Sequence, residues 1–158
     1  MTRPSSWREL PVISADASLE LCSNGEPALV RHGTARAKLE RLQELGVTIA
    51  SVDLNSASQV TPACSCASCA VSALQGLRGV IVETQTVLLD AAIKADVPRF
   101  IPSDYSIDFT KFPPGENRNL DLRREFHKRL DKTSISATTT FNGAFADMLT
   151  GQMLERPQ

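Results

Sequence analysis

Between residues 28 and 106 the chain alternates short apolar runs with longer amphipathic stretches, which marks strand–helix–strand units with parallel strands. PALVR reads as a strand, and residues 35–45 read as a helix with Leu39, Leu42 and Leu45 on one side and Gly46 as its stop. VTIASVDL is the next strand. Residues 56–66 form a weaker helix, broken near Pro62, before CAVSAL supplies a third strand. After Gly79 comes the strongest helix, with Ile81, Leu88, Leu89, Ala92 and Ile93 in an apolar stripe that ends before Pro98. RFIPSDYS reads as a fourth strand. Pro113, Pro114 and Gly115 then interrupt regular structure. Residues 120–130 form a charged helix in which Glu125 and Arg129 stand at the i,i+4 spacing, a pair that contributes about 0.2–0.5 kcal/mol. SISATTTF, rich in β-branched residues, is a fifth strand, and residues 144–150 begin another helix.

The 158 residues have room for one domain with a real core but not for two. A net charge of −1 lacks the positive field that non-specific nucleic-acid binding requires, so nucleic acid is not an expected partner. The start carries no apolar leader and no run reaches the length of a membrane span, so a soluble, cytoplasmic protein without a membrane partner is expected. Cys22, Cys64, Cys66 and Cys69 are too few and too clustered for a secreted disulfide scaffold. The C-x-C-x-x-C spacing of the last three lacks a fourth ligand and runs into a buried strand, which favours small core thiols over a metal site. The cluster Arg123, Arg124, Lys128 and Arg129 is interrupted by Glu125 and flanked by Asp121 and Asp131, as a solvated helix face would be.

The order ALVR, VDLN, VSALQG, RFIPSDYSIDF over residues 28–149 resembles the cofactor half of the NmrA-like and isoflavone-reductase-like proteins, a branch of the short-chain-dehydrogenase-like Rossmann group. The resemblance implies an α/β fold with a doubly wound parallel sheet. It also implies an NAD(P)-binding protein of oxidoreductase type acting on a small organic substrate. Arg31, at the end of its strand, is placed where a guanidinium can meet a ribose 2′-phosphate, which favours NADP over NAD. Asp53 and Leu54 correspond to the family's pair near the adenine, and Ser72, Ala73 and Leu74 to the strand end whose backbone runs along the cofactor. Ser103, Asp104 and Tyr105 match the strand end where nicotinamide and substrate meet. Tyr105 is then the candidate catalytic hydroxyl, with Asp104 and Asn142 lining the substrate side. Each has a plainer alternative. Arg31 reads equally as a solvated strand end, Asp53 as a turn residue, Tyr105 as a core ring with a wet hydroxyl, and Asn142 as half of an Asn-Gly turn.

The chain departs from the family at both ends. A dinucleotide fold needs a glycine-rich turn after its first strand, so that bare backbone can approach the pyrophosphate, and upstream of ALVR only Gly25 is present. At the codon level, reading from the last base of the Pro4 codon permits ILVAGATGDLGGRIARALLERG, a buried strand, a GxxGxxG turn and a helix running into ALVR. Residues 1–27 therefore read as an irregular, frameshifted segment, and residues 28–158 as a partial dinucleotide domain without its substrate region. LPVIS is the one available replacement for the first strand, but Pro11 has no N–H for a central ladder. Dinucleotide binding is expected to be weakened or lost. Tyr105 and Lys111 are six apart, so the Tyr–Lys dyad of one helix is absent, and Asn117, Arg118 and Asn119 stand where the resembling reductases carry a lysine; Lys128 comes later. Three readings remain: an NAD(P)H-dependent oxidoreductase, a non-catalytic dinucleotide-sensing module, and a non-functional fragment.

Overall fold

The computed structural model describes residues 12–14 and 27–143. Strand β2, Pro27–Arg31, opens on proline, where a missing N–H disturbs the ladder least. It runs parallel to β3, Thr48–Val52, in the register Pro27↔Thr48 to Arg31↔Val52. Helix α1, Arg36–Glu44, carries the chain back between them and ends at Gly46, whose φ of +76° suits a residue without Cβ. Leu42 of the expected stripe is buried and Leu39 half-buried, but Leu45 falls at the helix end and is exposed. Helix α2, Ala57–Ala63, tolerates Pro62 because it sits in the last turn, and Cys66 at φ +68° ends the turn after it.

Strand β4, Ala70–Ala73, leads through a π-helical turn, Gly79–Thr84, into α3, Gln85–Lys94. Strand β5, Arg99–Ile101, pairs parallel with β4 (Ala70↔Phe100) and with β6, Ser136–Ala137. Both β5 and β6 are shorter than the runs RFIPSDYS and SISATTTF suggested. Pro102 has no N–H with which to continue the β5 ladder, so Ser103 to Ser106 form a turn, rejoined only by an isolated bridge from Ser106 to Phe141. A 3-10 turn, Phe109–Lys111, and helix α4, Arg118–Leu130, fill the interval. Asn117 caps α4 by accepting from the N–H groups of Asn119 and Leu120. The expected Glu125–Arg129 pair does not form. Glu125 meets Arg78 at 2.5 Å and Arg129 donates to the Thr86 hydroxyl, because tertiary partners lie closer than the next turn of the helix.

Val12–Ser14 corrects the expectation that the whole N-terminal stretch is irregular. These three residues form β1, parallel to β4 in the register Val12↔Val71 to Ser14↔Ala73, and so take the place of a first strand. β1 also lies beside β2, yet no ladder of backbone bonds joins the two. The first strand is therefore present but short. Trp7, Pro11, Cys22, Gly25 and the expected helix at 144–150 lie outside the described residues.

Residues of β2 alternate between two cores, as in a parallel sheet covered on both faces. Leu29 joins the larger one with Val60 of α2, Leu88 and Leu89 of α3, Phe100 of β5, and Phe126 and Leu130 of α4. Ala28 and Val30 join Leu42 of α1 and Val47 in a smaller one. Helices α2, α3 and α4 thus cover one face and α1 the other, over two parallel ladders, β1-β4-β5-β6 and β2-β3, in a Rossmann-like α/β arrangement.

Candidate functional site

The carboxyl ends of β2, β3 and β4 meet around a cavity of about 340 Å³, closed on its far side by the π-helical turn. Arg31, Leu54, Asn55, Leu74, Val80 and Thr84 are among its walls. Strand direction puts them together, since parallel strands deliver the residues that come after them to one edge. The floor is pinned from both sides. The Thr84 hydroxyl shares its proton between Asn55 Oδ1 at 2.7 Å and the Gly79 carbonyl at 3.0 Å, tying the loop after β3 to the π turn. Gly76 lets that turn come close, since a Cβ there would lie 2.8 Å from the Cβ of Val80.

A second constellation braces the turn after β5. Buried Gln85 accepts through Oε1 from the Ser72 hydroxyl at 2.6 Å and from the Ser103 N–H at 2.8 Å, and donates from Nε2 to the Ile81 carbonyl. The Ser103 hydroxyl donates to the Leu74 carbonyl at 2.6 Å. One side chain therefore holds the ends of β4 and β5 at a set separation. Next along the chain, Asp104 is fully buried, and its Oδ2 lies 2.6 Å from Nε2 of His127 on α4. Among the described residues its other oxygen has no hydrogen-bond partner, nor has the buried Nε of Arg123. Burial pulls the Arg123 guanidinium below its ordinary range while the Asp104 carboxylate opposes that fall. The His127 ring rests on Phe109, centroids 5.0 Å apart, and Phe109 meets Phe141 edge-on. Arg124 anchors the loop by donating to the carbonyls of Phe109 and Phe112 while bridging to Asp121 at 2.7 Å.

Of the residues singled out by sequence, Arg31, Leu54 and Leu74 share the cavity. Asp53 is placed beside it, with its carboxylate accepting from the Asn55 N–H and its own N–H donating to Gln59, the arrangement of a turn. Ser72 spends its hydroxyl on Gln85, and Ala73 is half-buried at the end of β4. Ser103 has both polar groups engaged, and Asp104 faces His127 rather than solvent. Tyr105 is 38% exposed, and partial burial together with the Asp104 charge pushes its hydroxyl above the usual range. Asn142 is exposed beside Gly143, whose φ is +70° and whose N–H donates to the Ser106 carbonyl. The buried thiols of Cys64 and Cys69 are both pushed up to about 11 by desolvation, and Cys66 is exposed. Sequence reading passed over Gln85 and His127. A glutamine three and four positions before Leu88 and Leu89, on the face of an apolar stripe, was the available signal for the first. Nothing local signalled the second.

The model of a family described as NmrA-like matches residues 23–156. Among solved structures, "AtPrR2 with NADP+ and (+)pinoresinol" superposes with a TM-score of 0.73 at 20% identity, covering 92% of this chain and 53% of that one. A crystal structure of isoflavone reductase gives 0.72 at 18% identity, over 90% of this chain and 52% of that one. The NADPH-dependent quinone oxidoreductase QOR2 of Escherichia coli, complexed with NADPH, gives 0.66 at 18% identity, over 86% and 50%. At such identities the likeness establishes the fold, and this chain spans about half the length of those structures. No curated protein matches the sequence.

Proposed function

The chain belongs to the NmrA-like family, and on that premise we propose that it is built to bind the adenosine end of NADP at the carboxyl ends of β2, β3 and β4, within an oxidoreductase-type fold. The observation that carries this reading is the convergence of Arg31, Leu54 and Leu74 on one cavity. The Arg31 guanidinium supplies a phosphate partner in a mixed lining where Leu54, Leu74 and Val80 offer apolar contact for a flat base, while the Glu83 carboxylate shares the cavity with Asn55 and Thr84. Two of the similar structures are described as holding NADP+ and NADPH, which agrees with that choice. The fit is partial. Pyrophosphate needs backbone N–H groups on a glycine turn, and the sequence between β1 and β2 holds one glycine, Gly25.

When bound, NADPH supplies a hydride. For the proton that must accompany it, Tyr105 is the exposed hydroxyl at the β5 turn, whereas Ser103 and Asp104 are committed to Leu74, Gln85 and His127. Asn117, one of the three residues (Asn117, Arg118 and Asn119) standing where the resembling reductases carry a lysine, is spent on capping α4. That favours a second reading, a module that binds the dinucleotide without turning it over. Substrate remains a small organic molecule.

NADPH fluorescence titration tests the binding, with Arg31→Glu as the discriminating variant. Arg31→Glu is expected to weaken NADPH binding at least about tenfold, roughly 1.4 kcal/mol, while leaving NADH nearly unchanged. Equal affinity for the two cofactors in both proteins, or no binding of either, would end the reading. Turnover with a quinone panel separates enzyme from sensor.

A further inference from the structure

We propose, resting on the NADP reading of the same cavity, that Arg78 is a specificity-determining residue: it occupies the Glu83 carboxylate so that a 2′-phosphate can settle beside Arg31, and without it the preference for the phosphorylated cofactor is lost. The cavity wall holds two charges of opposite sign. Arg31 enters it from the end of β2 and Glu83 from the π-helical turn, in a lining shared with Leu54, Leu74 and Val80. Apolar walls concentrate the field of the charges set among them, so each charge bears on what the cavity admits. A guanidinium favours a phosphate, whereas a carboxylate repels it and accepts instead from the 2′-hydroxyl of an unphosphorylated ribose. How the Glu83 charge is spent therefore decides between the two cofactors.

Glu83 is partnered by Arg78 rather than Arg31. Arg78 Nη1 donates to Glu83 Oε1 at 2.5 Å. The same guanidinium is gripped from α4, where Glu125 accepts from Nη2 through Oε1 at 2.5 Å and from Nε through Oε2 at 3.3 Å. Two bonds along one edge of the planar group fix its orientation and leave Nη1 for Glu83. Arg78 and Glu125 are 47 positions apart, so the guanidinium is held from outside the turn that carries Glu83. Glu125 itself stands outside the lining and orients Arg78 without facing the phosphate. The Glu83 side chain folds back over the first residue of its turn, with Oε2 3.9 Å from where a Cβ on Gly79 would stand. Stability is a poor reason for this arrangement. The Arg78 and Glu83 side chains are 52 and 59% exposed, and exposed pairs of this kind add little to folding. Charge is the larger consequence. With Arg78 in place Glu83 meets an incoming phosphate as half of an ion pair; without it, a bare carboxylate and the phosphate share one cavity.

The test titrates the full chain with NADPH and with NADH, following nicotinamide fluorescence, in the parent and in Arg78→Met, Arg78→Lys, Glu83→Gln and the Arg78→Met/Glu83→Gln pair. Arg78→Met is expected to weaken NADPH at least about fivefold and to leave NADH within about twofold. Arg78→Lys keeps the charge and should retain most of the preference, while adding Glu83→Gln to Arg78→Met should bring NADPH back to within about twofold of the parent. The loss in Arg78→Met should shrink between about 0.1 and about 1 M salt, where the Debye length falls from about 10 to about 3 Å. A residue that only supports the turn gives another pattern, in which both cofactors weaken together and glutamine at position 83 rescues neither. That pattern, or an unchanged NADPH-to-NADH ratio in Arg78→Met, overturns the proposal. Glu83→Gln alone leaves Arg78 unspent and should tighten NADPH about threefold, which keeps the question open to measurement if Arg78→Met does not fold. Unchanged or weaker NADPH binding in Glu83→Gln overturns the proposal as well. A parent that binds neither cofactor, or both alike, overturns the NADP reading and this proposal with it, whereas a parent and an Arg78→Met that prefer NADPH equally overturn this proposal alone.

Discussion

The two sides of the sheet are held by different means. Around β4 and β5 the strand ends are cross-braced by buried side chains, with Gln85 spanning Ser72 and Ser103, and Asp104 joined to His127 of α4. Around β2 and β3 the strands are held by their own five-residue ladder and a small cluster of Ala28, Val30, Leu42 and Val47. The cavity lies where the two sides meet. Its Leu74 and Thr84 walls are set by the braced side, while Arg31 and Leu54 ride on the other. The packed core on α3 and α4 thus stands beside a first strand that is described over three residues.

The largest effect should come from testing that contrast in the cores. Phe126 is fully buried against Phe100, with centroids 6.2 Å apart, so Phe126→Ala is expected to cost about 3–5 kcal/mol in urea unfolding. Leu42→Ala, in the small cluster, should cost about 2 kcal/mol, the low end for its type. Equal losses would break the comparison. A smaller effect sharpens it at the strand ends. Gln85→Leu strands the Ser103 N–H and the Ser72 hydroxyl and should cost about 1–3 kcal/mol, whereas Gln85→Glu keeps the Oε1 acceptor and should recover part of the loss. If leucine and glutamate behave alike, the brace is not what separates the two sides.

The smallest effect is in pH dependence, and it too belongs to the braced side. Cys64 and Cys69 have thiols raised from 9.0 to about 11 in the folded protein, so the native state keeps those protons after the unfolded chain has lost them. Their contribution is complete below pH 9 and is lost as pH rises towards 11. The thermal midpoint should fall across that window, and less steeply in Cys64→Ala. At about pH 8, mass mapping after iodoacetamide treatment should find Cys66 alkylated before either buried thiol. Simultaneous labelling of all three would mean that the helices above β4 open as readily as the other side.

Much of the frame was legible before any coordinates. PALVR is a strand over the same residues in the structure, α1 and α3 follow their apolar stripes, and Gly46 ends α1 as its position suggested. The misses share a cause. Pro102 ended a strand that the sequence reading had extended through RFIPSDYS, and Glu125 left its helical neighbour for Arg78, 47 residues away in sequence. LPVIS stood out in sequence as the available replacement for a first strand, and Val12–Ser14 of it pairs with β4.

The amino-acid order alone determined the succession of strands and helices and the edge to which Arg31, Asp53 and Tyr105 are delivered, because hydrophobic period and strand direction are properties of consecutive residues. Tertiary structure decided which of those side chains share a cavity, that Asp104 turns to His127, and that Gln85 spans two strands. The last two join residues 13 to 23 positions apart, and only packing brings such groups within the 2.6–2.8 Å of a hydrogen bond.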